Sequence, residues 1–120
     1  MEESFVQRMK GLLLAELAST EAELARLRSV TAVDEALTEH AGLGNHMADD
    51  ATDLFEQEKN LSLLHHTEHR LESVQQALRR IEQGAYGLCE RCGDPIDRAR
   101  LESLPSAALC LRCKARQEKT

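Results

Sequence analysis

The chain has no tryptophan, and its aromatic residues are Phe5, Phe55 and Tyr86 alone. So few large side chains in 120 residues argue against a thick globular core. Proline is nearly absent, with none between residues 1 and 94, so nothing interrupts a helix over that stretch. Cysteine is missing until Cys89. Long apolar runs are missing too: "GLLLAELA" is too short to span a bilayer. The opening "MEESFVQRMK" is acidic and leads into no signal-peptide pattern. The expectation is no membrane segment and a cytoplasmic location, where paired thiols are more often metal ligands than disulfides.

What is present is leucine, alanine and charge, with charged residues making up 30%. This composition suits long helices packed on one another. The net charge of −6 is unevenly spread. Residues 31–60 hold eight acids (Asp34, Glu35, Glu39, Asp49, Asp50, Asp53, Glu56 and Glu58) against Lys59, a local balance of −7. Residues 61–120 hold ten Lys or Arg against eight acids, a balance of +2. Duplex DNA readers place a basic stripe on their reading surface. Here the most irregular segment has the opposite sign, which argues against sequence-specific DNA binding.

Leu13, Leu17, Thr20, Leu24, Leu27 and Thr31 are spaced 4-3-4-3-4, a helix seam close to a heptad repeat. A second seam is expected from Leu54 and Leu61, from Leu64, Leu71 and Leu78, and from Thr67, Val74 and Ile81. Breakers cluster at "HAGLGNH", and Gly84 with Gly87 closes the second helix. The predicted fold class is mainly α: a long antiparallel coiled-coil hairpin over 1–83 with an acidic tip loop at about 38–50, then a small four-cysteine finger with a helical tail over 84–120. A helix over residues 50–83 would be roughly 50 Å long. With the turn near residue 45, facing positions sum to about 90. Phe5 then pairs with Tyr86, Leu17 with Val74, and Leu27 with Leu64. A homodimerising coiled coil is the plainer reading of the same pattern.

Cys89 and Cys92 form one Cys-x-x-Cys knuckle, Cys110 and Cys113 another, with seventeen residues between. Two matched knuckles at this spacing indicate one zinc ion held by four thiolates, each at about 2.3 Å. Four ligands leave no open coordination position, so the metal is expected to be structural. Gly93 eases the turn after the first knuckle. Arg91, Arg112 and Lys114 adjoin the thiolates and can offset their charge. A redox dithiol pair is the competing reading. His65, His66 and His69 lie on the second helix, where a solvated face outweighs a second metal site. His40 and His46 are expected in the loop.

Residues 86–114, "YGLCERCGDPIDRARLESLPSAALCLRCK", resemble the zinc finger of the DksA/TraR family of bacterial RNA polymerase-binding regulators. The matching positions are Tyr86, Gly87, Cys89, Cys92, Gly93, Ile96, Arg100, Leu101, Pro105, Cys110, Cys113 and Lys114. "GNHMADDATDLFEQEKNLSLL" is similar to the shorter members found in Gram-positive bacteria. The resemblance implies a non-enzymatic transcription regulator. Its coiled coil would enter the secondary channel of RNA polymerase while the zinc end grips the rim. Acidic tip residues would then act near the catalytic magnesium.

The family's Asp-x-x-Asp-x-Ala tip motif is partly present. Asp49 and Ala51 occupy the second Asp and the Ala, and His46 stands at the first Asp. Asp50 and Asp53 lie close enough to supply the missing charge. Some family members bind guanosine tetraphosphate together with polymerase. Of the contact positions this implies, Lys114 is kept, while Ser73 and Leu104 stand where basic residues are expected and Arg70 lies nearby. The expected response to that nucleotide is weak or absent. Two other functions stay open at this point: a transcript-cleavage helper whose tip carboxylates hold magnesium, and a zinc-pinned coiled-coil adaptor for an unrelated partner.

Overall fold

The computed structural model describes residues 1–40 and 47–118, with side chains for 1–33 and 54–118. His46 lies outside the described residues, as do the side chains of Asp49, Asp50, Ala51 and Asp53. Four helices follow in order: α1 (Glu3–His40), α2 (Met47–Glu82), α3 (Arg98–Ser103) and α4 (Leu111–Glu118). The described residues contain no strand, and Leu88 and Pro95 form one isolated antiparallel bridge. The fold is therefore mainly α, as the composition implies. No helix among the described residues is long and apolar enough to cross a membrane. His40 ends α1 rather than lying in the loop. Asp49 and Asp50 fall in the first turn of α2.

The chain packs as two compact units. The first comprises Met1–Ala18 and Leu71–Thr120. It joins the start of α1, the end of α2 and the whole cysteine segment around a single core. Phe5, Met9, Leu13, Val74, Ala77, Tyr86, Cys89, Ile96, Leu101, Ala107 and Cys113 are all buried in it. Leu17, Leu78 and Ile81 pack against it. Phe5 and Tyr86 thus share one core, as the pairing rule requires, and Leu17 joins the cluster that holds Val74.

The second unit, Ser19–Arg70, buries Thr20, Leu24 and Leu27 from α1 and Leu64 and Thr67 from α2. The first-helix seam is therefore the buried face. The second-helix seam is only partly as expected. Leu54 and Leu61 are 56% and 43% exposed, so they are not core residues. With Leu64, Leu71 and Leu78 at a and Thr67, Val74 and Ile81 at d, these two leucines fall at e, beside the seam. The inner seats before Leu64 go to Gln57 and Asn60, both half-buried. The sevenfold spacing of Leu54 and Leu61 is real but marks a flanking stripe.

The end of α2 is a Schellman motif. The Gly84 N–H donates to the Ile81 carbonyl at 3.2 Å, and the Ala85 N–H to Arg80 at 2.8 Å. Gly84 has φ +74°, a conformation open to glycine at little cost. This stop turns the chain directly into the cysteine segment.

Candidate metal centre

The first knuckle is a tight hairpin. The Cys89 N–H donates to the Asp94 carbonyl at 2.8 Å, and the Gly93 N–H returns to the Cys89 carbonyl at 3.0 Å. Gly93 has φ +76°, the reversal anticipated from its place after Cys92. The Ile96 N–H to the Gly87 carbonyl, at 2.7 Å, closes the base of this hairpin. The second knuckle is the first turn of α4, where the Cys113 N–H donates to the Cys110 sulfur at 3.5 Å.

The four sulfurs converge. Those of Cys89, Cys92, Cys110 and Cys113 all lie within 4.8 Å of one another. The Sγ atoms of Cys92 and Cys110 are 3.8 Å apart. Sulfurs at the corners of a tetrahedron, each about 2.3 Å from a central zinc, would be spaced about 3.8 Å. All four thiols are free of disulfides. Their geometry fits one zinc ion with four ligands, and a four-sulfur shell has no position left for water or substrate. The ion is structural. Among the described residues the cysteines form the one metal-ligating cluster; His65, His66 and His69 are exposed on α2 and join none.

The surroundings favour thiolate on one side of the site and oppose it on another. Backbone N–H groups of Cys92 and then Cys110 directed at the Cys89 sulfur hold its thiol down to about 6. The Cys113 N–H lowers the Cys110 thiol in the same way. Burial instead pushes the Cys113 thiol up to about 12. Arg112 supplies the charge compensation expected of it. It donates to Asp94 at 3.0 Å, and its contact with the Cys92 sulfur raises its own pKa further. Arg91 and Lys114 are exposed.

The segment leading into the second knuckle is held in an unusual way. The Tyr86 hydroxyl donates to the Pro105 carbonyl at 2.8 Å. An Arg80 N–H reaches the Ala107 carbonyl at 3.4 Å, a long contact. The Arg100 Nε–H donates to the Leu109 carbonyl at 3.0 Å. The segment opens on a turn, closed by the Ala107 N–H on the Leu104 carbonyl at 3.0 Å, and the three side chains take up carbonyls that the turn leaves without a main-chain donor. The Glu90 N–H adds a main-chain bond to Ala108 at 2.9 Å. Sequence reasoning gave Tyr86 and Arg100 as matched positions without this role, and missed Arg80 altogether.

A second set of contacts fastens the start of α1 to α3. Arg8 pairs with Glu102 at 2.8 Å. Arg98 stands 4.3 Å over the Phe5 ring and 3.8 Å from Glu2. These exposed pairs contribute little each, but the cation over a buried ring adds to the apolar contact beneath it.

Residues 84–119 match the prokaryotic dksA/traR C4-type zinc finger. The chain is 48% identical over 64 residues to the uncharacterized protein YteA of Bacillus subtilis. It is 45% identical over 49 residues to the RNA polymerase-binding transcription factor DksA of Caulobacter vibrioides. These alignments take in 52% and 41% of this chain and 26% and 34% of the relatives, so the chain spans no more than about a third of either. The structure of transcription factor DksA2 from Pseudomonas aeruginosa is similar over 99% of this chain and 87% of that one, with a TM-score of 0.77 and 29% identity. A finger of matching type, close sequence relatives and a fold shared along nearly the full chain agree: the protein belongs to the DksA/TraR family and carries its four-cysteine zinc finger.

Proposed function

We propose that the protein is a transcription regulator that binds RNA polymerase and carries out no chemistry of its own. The observation that carries this reading is the likeness to DksA2 over 99% of the chain. It is supported by the Caulobacter relative, whose name states polymerase binding. In this reading α1 and α2 deliver the acidic 31–60 segment into the secondary channel, and the zinc unit grips the rim outside. A local charge of −7 suits a site built around divalent cations and the basic groups that handle nucleotide phosphates. The regulator acts in the cytoplasm, where its partner is, and reads no DNA sequence.

Asp49 is the tip residue proposed to matter most, with His46, Asp50, Ala51 and Asp53 around it. Lys114 is the proposed nucleotide contact. Because Ser73 and Leu104 supply no charge at the two other positions, guanosine tetraphosphate is proposed to have little effect. The test is Asp49→Asn, which keeps the side-chain shape and removes the charge. Polymerase capture should stay within about twofold of the parent, a change of under ~0.5 kcal/mol, while the effect on transcription in vitro is mostly lost. Failure of the parent protein to capture polymerase from purified components would end this reading.

A further inference from the structure

Arg80 is the side chain whose position is hardest to explain by stability. Its side chain is only 10% exposed, its Nε–H is buried without a partner among the described residues, and it sits at the end of α2, outside the cysteine segment. Burying a guanidinium costs desolvation that an ion pair only partly offsets. The remaining N–H groups are aimed at two places. One donates to Glu90 Oε1 at 2.9 Å, and Glu90 directly follows Cys89. The other reaches the Ala107 carbonyl at 3.4 Å, on the segment that ends in Cys110. The Glu90 N–H closes the ring by donating to Ala108 at 2.9 Å. One buried cation thus holds the residue beside a ligand of the first knuckle and the approach to the second.

We propose that Arg80, through Glu90, is a positioning residue of the zinc centre: it sets the distance between the two knuckles and so governs how tightly the metal is held. Neither residue touches the metal. Groups that orient ligands from outside the coordination shell typically change metal affinity by 10–100-fold. Arg80 acts one bond further out, so the lower end of that range, about tenfold, is the expected effect.

The experiment uses the full chain. Zinc affinity is measured by competition with a chromogenic chelator, and ligand geometry by the visible bands of the cobalt(II)-substituted protein. Arg80→Met and Glu90→Gln should each weaken zinc by about tenfold and shift the cobalt bands. The double variant should be no weaker than Arg80→Met alone, because both changes break one linkage. Arg80→Lys, which restores a cation of one donor group, should recover part of the affinity. Val74→Ala, which thins the same core without removing a hydrogen bond, should lower thermal stability and leave the cobalt bands in place. Parent-like zinc affinity in Arg80→Met overturns the proposal, as does a cobalt shift of equal size in Val74→Ala. Should Arg80→Met not fold, Glu90→Gln decides alone, since its side chain is half exposed; parent-like affinity there also overturns it.

Discussion

Tyr86 is the chain's one tyrosine, and no tryptophan obscures it, so its ionisation can be read directly from phenolate absorbance. The ring is 5% exposed, and its hydroxyl donates to Pro105. Burial raises its pKa from an ordinary 10 to about 12, against a smaller opposing pull from Arg80. The fold therefore favours the neutral phenol. That contribution is fully present below pH 10, where the unfolded chain is also protonated, and is lost as pH rises toward 12. Two pKa units correspond to at most about 2.7 kcal/mol. Allowing for partial solvent access at the hydroxyl reduces this to roughly 1–2 kcal/mol. The assay is a phenolate titration of the folded zinc protein beside the same chain in denaturant. A native midpoint near 12 and a denatured midpoint near 10 are expected. Tyr86→Phe should flatten the loss of thermal stability over the same interval. A native midpoint near 10 with the helical signal intact would refute the burial and the hydrogen bond together.

Further outcomes follow from other parts of the same unit. Cys110→Ser should release zinc, by metal analysis of reduced protein, and loosen the core around Cys89 and Cys113 while much of the helical signal persists; structural zinc in such modules contributes on the order of 10 kcal/mol to folding. Leu13→Ala, at a fully buried site, should cost about 2–5 kcal/mol in denaturant unfolding, whereas Leu12→Ala, at a site 47% exposed, should stay within ~0.5 kcal/mol. Gly84→Ala meets no atom within 4 Å but must hold φ +74°, so a loss of about 1 kcal/mol is expected from backbone strain alone, measured by thermal unfolding.

The parts of this protein that depend on short-range spacing were readable from the sequence. Two Cys-x-x-Cys knuckles imply a closed metal site because each knuckle is a local turn and ligand chemistry needs only four thiolates at one point. The 4-3-4-3-4 spacing from Leu13 to Thr31 marked the inner face of α1 because a helix repeats its surface every 3.6 residues. The turn glycines, Gly84 and Gly93, announced reversals that only a residue without a side chain makes cheaply.

Other features were decided by what a segment packs against. Leu54 and Leu61 keep the same sevenfold spacing as Leu64 and Leu71, yet the second pair is the buried or half-buried one. A heptad period fixes a stripe but not which stripe faces a partner, and the neighbouring helix makes that choice. Arg79 and Arg80 are adjacent cations in the last turn of α2, where both suit the helix dipole. Arg79 is exposed and Arg80 is buried, because the chain returns to lay Glu90 and Ala107 against one face of that turn and leaves the other in solvent. Local spacing was enough for the two long helices, the helical tail and the four ligands, whereas α3 (Arg98–Ser103) was not anticipated. Tertiary packing decided which leucine stripe of α2 faces inward and that Arg80, not Arg79, is buried against Glu90 and Ala107, since contacts between separate segments leave no trace in local periodicity.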